Sequence, residues 1–298
     1  MTECDELQNE DWKITLRTDL IAGINGIDEE KVAEEVGYYY MCYAPTYLYK
    51  YYRDNSLNWD AVRNNKMWYS APNNFNDVFD CDIFVDEKSL FNSILQMVPD
   101  KRGVRPGSPM WRQLRQTLNQ EIVSLKSTFH EMKSTTGISC LSETCDSLLM
   151  WAHYANNHRG ICVEYELLEI NKQLGFSPVP IVYSDGRTVF QNLNPDTLDY
   201  DVTEVFIKSL TSKSPEWSYE KEWRIIQDNT ACGSKWDSAN KGALLNMIIP
   251  SSIILGCMVN QDYEKSIYEY CKNNKINLFK MEKDKDFYRL NKVVVLEF

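Results

Sequence analysis

Residues 137–165 read Gly-Ile-Ser-Cys-Leu-Ser-Glu-Thr-Cys-Asp-Ser-Leu-Leu-Met-Trp-Ala-His-Tyr-Ala-Asn-Asn-His-Arg-Gly-Ile-Cys-Val-Glu-Tyr. This pattern predicts a short strand over 137–142, a helix over 146–156, a turn through Arg159-Gly160 and a second strand over 161–165. Upstream, Trp111, Leu114, Leu118, Ile122, Leu125, Phe129 and Met132 recur every three or four residues and predict one long helix with a single apolar stripe. Further upstream, residues 46–52 alternate as a strand, with Tyr47, Tyr49 and Tyr51 on one face and Leu48, Lys50 and Tyr52 on the other. A short helix over 57–63 and a second strand over 66–70 follow, then an Asn-rich loop after Pro72.

Downstream, strands are predicted at 180–183, 219–227, 243–249, 253–259, 276–281 and 292–298, and helices at 196–212 and 263–273. Strands and helices do not alternate regularly, and several strands lie close enough in sequence to pair antiparallel. The expected class is therefore α+β, with mixed, largely antiparallel sheets and flanking helices, rather than a doubly wound sheet. No linker, repeat or low-complexity tract divides the chain. An acidic, helical N-terminal arm over 1–45 and a single domain over 46–298 are expected.

Of the 298 residues, 43% are hydrophobic and 25% charged, so the chain can bury a sizeable core. No apolar run is long enough to span a bilayer, since Pro250, Ser251 and Ser252 break the longest. The N-terminus is acidic and lacks the apolar core of a secretory signal. A cytoplasmic protein with no membrane partner is expected. Residues 1–36 carry eleven acids against Lys13, Arg17 and Lys31, a net −8 of the total −11, and the rest is nearly neutral. That balance excludes a dedicated duplex-DNA reader, which would present a basic face; the one basic stretch runs over Lys101, Arg102, Arg105, Arg112, Arg115 and Lys126. Nine scattered cysteines without a Cys-x-x-Cys pair predict free thiols in a reducing compartment. Cys140, Cys145, His153, His158 and Cys162 match no compact zinc spacing, and no metal site is expected.

Two segments concentrate polar chemistry. If 219–227 is a strand, its period of two places Glu220, Glu222 and Arg224 on one face. Two carboxylates so close raise each other's pKa, while the arginine favours their charged forms. Such a face stabilises a positive charge or orients a hydroxyl, and it equally suits a salt-bridged sheet surface. His153, beside Leu149 and Met150 on its helix, reads as readily as an interior histidine as a functional one.

Taken together, Tyr49-Lys-Tyr51, Trp68-x-Ser70-x-Pro72, Phe75-Asn-Asp77, Met150-Trp-x-His-Tyr-Ala155 and Tyr219-Glu-x-Glu-Trp-Arg224 resemble a widespread bacterial group, the domain-of-unknown-function family 2971, over roughly residues 47–259. The motif order is also similar, more distantly, to that of ADP-ribosyltransferases: an early strand bearing Arg, His or Tyr, serine-bearing strands in the middle, and a Glu-x-Glu on a late strand. Here Tyr49, Tyr51 or Arg53 matches the first element, Ser70 or Ser139 and Ser142 the second, and Glu220-Lys-Glu222 the third. There is no Ser-Thr-Ser.

That resemblance implies an ADP-ribosyltransferase-like core and NAD as the substrate, with an unknown protein or nucleic-acid acceptor. Glu222 would stabilise the oxocarbenium-like ribose, and Glu220 would orient or deprotonate the acceptor. Tyr51 or Tyr154 would stack on nicotinamide and Arg53 would hold the pyrophosphate; Ser70, His153 and Arg224 would complete the walls. Such chemistry would suit a bacterial toxin or phage-defence effector. The alternatives are a non-enzymatic nucleotide-, RNA- or protein-binding module built on the eighteen tyrosines and eight tryptophans, and a metal-dependent nuclease using Asp77, Asp80, Glu220 and Glu222.

Overall fold

The structure, a computed structural model, describes residues 11–26, 29–98, 104–191, 202–228 and 232–298. In chain order the elements begin with helices α1 (Asp11–Ile24) and α2 (Glu29–Cys42), strand β1 (Tyr47–Tyr52), helix α3 (Ser56–Arg63) and strands β2 (Lys66–Ser70) and β3 (Ile83–Val85). Helices α4 (Glu87–Met97) and α5 (Pro109–Thr135), strand β4 (Gly137–Ser142), helix α6 (Leu148–Tyr154), strand β5 (Ile161–Glu166) and helix α7 (Leu167–Leu174) follow. Short strands β6 (Val179–Pro180), β7 (Val182–Tyr183) and β8 (Thr188–Phe190) precede helix α8 (Val202–Leu210) and strand β9 (Ser212–Lys213). Strands β10 (Glu222–Gln227), β11 (Trp236–Asp237), β12 (Gly242–Asn246) and β13 (Ser252–Leu255), helix α9 (Gln261–Asn274) and strands β14 (Asn277–Lys283) and β15 (Leu290–Leu296) complete the chain. The class is α+β, as the irregular succession of elements predicted.

The main sheet runs β11-β12-β2-β4-β1-β5-β13-β14-β15, and β10 lies off this path, pairing with β4 and β6. Within it only β13 and β14 run parallel; the other pairs are antiparallel. Strand β4 is the branch point. Along its full length one edge pairs with β10, from Glu222 opposite Ser142 to Gln227 opposite Gly137. Its other edge is shared. Ser70 of β2 pairs with Ile138 at one end, and Tyr49 of β1 pairs with Ser142 at the other. Strands β1 and β2 therefore splay apart over the middle of β4, leaving a gap in the sheet.

Register decides which side chains face that gap. Residues paired in an antiparallel ladder share a face, so Tyr49, Ser142 and Glu222 form one row, Cys140 and Arg224 a second, and Ser70 and Ile138 a third. The opposite face carries Leu48, Tyr52, Met67, Tyr69, Leu141, Trp223 and Ile225, all buried in the largest core cluster. Trp12 and Leu16 of the acidic N-terminal segment join that core, and the Trp12 ring lies 6.1 Å from that of Trp223.

On the gap side two smaller clusters stand apart. One gathers Leu118, Ile122, Leu125 and Phe129 of α5 with Ile138, Phe190 and Phe206; the other gathers Tyr51, Met150, Trp151, Cys162 and Ile254. Helix α5 begins where Ser108 caps Trp111 N–H and Pro109 enters the first turn. Its predicted stripe is the buried one at Leu118, Ile122, Leu125 and Phe129. Lys101 and Arg102 of the basic stretch lie outside the described residues, and Arg115 stacks on the Phe91 ring at 4.4 Å.

The turn into β5 has one position with no room for a side chain. A Cβ on Gly160 would lie 1.9 Å from the Tyr52 carbonyl oxygen, which is backbone and fixed by β1. Gly160→Ala is expected to cost about 3 kcal/mol, the upper end of the overpacking range, read as a lower urea midpoint at unchanged slope. An unchanged midpoint would show that the turn is looser than its geometry. Among the described residues no helix is long and apolar enough to cross a membrane.

Candidate functional site

The gap between β1 and β2 opens into a cleft of about 290 Å³. Tyr49, Tyr51, Lys50, Trp68, Ser70, Phe75, Asn76, Cys140 and Tyr154 line it, with Asp80, Lys213, Glu220 and Glu222 at its floor. This size sits at the lower edge of small-molecule sites, which are about 300–1,000 Å³.

Glu220 and Glu222 arrive there by different routes. The strand predicted over 219–227 starts only at Glu222. Pro215–Glu220 is instead a 3-10 turn, opened by Pro215 and capped by the Ser214 hydroxyl. It closes at Lys221, whose φ of 44° and ψ of 54° place it in the left-handed region. That reversal swings the Glu220 side chain back beside Glu222, so both carboxylates meet although they do not share a strand face. Ser142 fixes the bend: its hydroxyl donates to the Glu220 carbonyl at 2.6 Å, and Glu143 N–H donates to the Lys221 carbonyl at 3.1 Å.

A buried ion network holds the floor. Arg224 donates from Nε to Glu222 Oε1 at 2.7 Å and from Nη2 to both Asp80 oxygens at 2.8 Å; its Nη1 reaches the Leu210 carbonyl at 2.8 Å. Lys213 donates to Glu220 at 2.6 Å and Glu222 at 2.9 Å, and lies 3.5 Å from Asp80. Tyr154 donates its hydroxyl to Glu220 Oε1 at 2.5 Å.

These contacts drive the two carboxyls in opposite directions. Burial opposes ionisation of Glu222, but Arg224 and Lys213 more than offset it and hold its carboxyl well below the usual range. Burial dominates at Glu220, pushing it up despite Lys213. Environments that separate a close pair in this way assign one member as a fixed charge and the other as a proton carrier. Burial lowers Lys50, with only partial relief from Cys140 and Glu222. It raises the Cys140 thiol, with Glu222 adding to the effect, so this cysteine is not a ready nucleophile.

Of the residues singled out from sequence, Tyr49, Tyr51, Ser70, Tyr154, Glu220 and Glu222 line the cleft. Tyr51 is a packing wall: its hydroxyl donates to the Thr144 carbonyl at 2.8 Å and its ring meets Trp151 edge-on at 5.3 Å. Arg224 is fully buried beneath the floor and acts through Glu222. Arg53 lies off the cleft, exposed just past the end of β1, because the alternation that turns Tyr49 and Tyr51 inward stops at Tyr52. His153 is exposed on α6 and meets the Tyr219 hydroxyl at 3.1 Å, outside the lining.

Two cleft lysines, Lys50 and Lys213, are missing from the site residues singled out from sequence. Lys213 stands on a two-residue strand. Lys50 alternates with Tyr49 and Tyr51, yet it too lines the cleft, its ammonium donating to Ser139 Oγ at 3.0 Å and the Cys140 carbonyl at 2.8 Å beside the split between β1 and β2. A splayed ladder makes this possible, and strand periodicity does not reveal one.

The acids of the nuclease alternative do converge at Asp80, Glu220 and Glu222, but Lys213 and Arg224 already occupy oxygens of all three. Asp77 turns aside to accept from Phe79 N–H at 2.9 Å. Among the described residues no group of three or more His, Cys, Asp or Glu side chains is placed to hold a metal ion.

Residues 150–225, from within α6 to the fourth residue of β10, match a family model described as "Protein of unknown function (DUF2971)". No curated protein and no solved structure matches the chain.

Proposed function

We propose that the cleft binds NAD⁺ and cleaves its nicotinamide–ribose bond, transferring ADP-ribose to a protein or nucleic-acid acceptor in the manner of an ADP-ribosyltransferase. One observation carries the reading: Glu222 stands at the cleft floor as a carboxylate kept ionised by Arg224 and Lys213, with Glu220 beside it pushed the other way. A fixed anion aimed where positive charge develops is what departure of nicotinamide requires. As the C1′–N bond breaks, its electron pair leaves with nicotinamide, and the cationic C1′ is left facing Glu222. Glu220 then takes the proton of the attacking hydroxyl or water, with Tyr154 and Lys213 orienting it. Tyr49, Trp68 and Phe75 supply aromatic faces for a flat, positively charged ring.

The cleft is small for a whole dinucleotide, so it seats the nicotinamide riboside half, and the adenosine half extends outward. Lys50 takes the diphosphate role that the sequence pattern had assigned to Arg53. Unlike Lys213, its ammonium meets, among the described residues, a hydroxyl and a carbonyl rather than a carboxylate in hydrogen bonds.

Lys50→Met is expected to weaken NAD⁺ binding about 10- to 100-fold, the effect of removing one charge-assisted contact. Titration calorimetry on the folded variant reads it, and an unchanged Kd would remove Lys50 from the ligand's path. The acceptor side is tested by incubating the full chain and a cell lysate with NAD⁺ labelled in the adenosine half. Label carried into macromolecules supports transfer; free labelled ADP-ribose alone would make the protein a hydrolase.

A further inference from the structure

A second cavity, of about 260 Å³, lies between α1 and α8, with its floor on β6 and Ile226 of β10. Leu16, Leu20, Ile24, Ile207 and Leu210 make most of its wall apolar. Among the described residues its two charged lining side chains are both cations, Lys13 and Arg17, and no carboxylate lines it. That is an unusual composition on a helix drawn from the most acidic segment of a chain with net charge −11.

The two cations are not equivalent. Lys13 is already held by Glu143 at 3.2 Å. Arg17 donates from Nη1 to the Ser212 hydroxyl at 2.8 Å, a neutral partner, while its Nε is shielded from solvent and has no hydrogen-bond partner among the described residues. Arg17 lines the cavity with a guanidinium whose hydrogen-bond partner, the Ser212 hydroxyl, is neutral, so an anion entering the cavity gains a charge-assisted contact. Burial accordingly lowers the Arg17 pKa.

We propose that this cavity is a binding site for a medium-chain aliphatic carboxylate, whose headgroup meets Arg17 and whose tail lies along Leu16, Leu20, Ile24, Ile207 and Leu210. The cavity's volume, at roughly 30 Å³ per water-sized group, accommodates about nine non-hydrogen atoms, close to the size of octanoate. One anchored charge in an otherwise apolar pocket is the usual division between orientation and affinity at small-molecule sites. The site shares no lining residue with the cleft, and the proposal stands whether or not that cleft cleaves NAD⁺.

The test is a ligand-observed NMR titration of the full chain with octanoate, octanol and acetate, supported by thermal shift. Octanoate is expected to bind with a Kd of about 0.1–1 mM; octanol and acetate should bind at least tenfold more weakly. Arg17→Met should weaken octanoate about 10- to 100-fold while leaving octanol unchanged. If Arg17→Met does not fold, Leu20→Phe narrows the apolar end with Arg17 intact and should abolish octanoate binding. Equal binding of octanoate and octanol, indifference to both substitutions in folded protein, or no octanoate binding at millimolar concentration would each overturn the proposal.

Discussion

Glu222→Gln is expected to lower the rate of nicotinamide release about 10²- to 10³-fold, the loss typical of removing one fixed electrostatic stabiliser. The substitution keeps the side chain's shape and one acceptor oxygen but removes the charge that Arg224 and Lys213 hold in place. Since the cation on C1′ exists only as the bond breaks, the effect should fall on kcat, with NAD⁺ affinity changing less than tenfold. Circular dichroism and a thermal melt of the variant establish that it folds. Full activity in folded variant protein would place the chemistry elsewhere. A collapse of affinity at unchanged kcat would make Glu222 a ground-state binding residue instead.

The largest stability effect is expected at Arg224. Arg224→Met should cost about 3–5 kcal/mol, the penalty for breaking a buried ion pair by removing one partner. The arginine is completely enclosed, and its loss leaves Asp80 and Glu222 short of their main counter-charge, along with an unpaired Leu210 carbonyl. Arg224→Lys should recover only part of this, because an ammonium cannot reproduce the fork that reaches Glu222, Asp80 and Leu210 together. Urea unfolding followed by tryptophan fluorescence reads both. A folded Arg224→Met protein of unchanged midpoint would mean that Lys213 alone neutralises the acids, and that the network is not what places Glu222.

The regular parts of this fold were legible because they follow simple periods. Strands at Lys66–Ser70 and Gly137–Ser142 and the long helix within Pro109–Thr135 are found where alternation and the apolar stripe predicted them. Elements that depart from a period were not. Residues 219–227 alternate well enough to read as one strand, but Ser214 and Pro215 impose a 3-10 turn and Lys221 takes a left-handed conformation, so β10 begins at Glu222. The pattern over 180–183 predicts one strand; Val179–Pro180 pairs instead with β10 and Val182–Tyr183 with β9, since each is too short to dictate a partner. The predicted helix over 196–212 appears as Val202–Leu210, and residues 196–201 lie outside the described part of the chain.

The site shows the same division. Tyr49, Ser70 and Glu222 could be grouped because cross-strand register turns strand parity into proximity. Lys213 and Lys50 could not, since one comes from a two-residue strand and the other lines a split that exists only once β4 shares an edge between β1 and β2. Arg53 failed for a local reason: one residue past the last paired position, nothing in the ladder directs its side chain.

Nicotinamide released from NAD⁺ by the purified full chain, followed by chromatography with and without lysate, bears most directly on the central claim. Release that depends on the protein and falls sharply in Glu222→Gln is the expected result. No release in either condition, together with no detectable NAD⁺ binding, would contradict it and leave the cleft a binding pocket for a ligand of different chemistry.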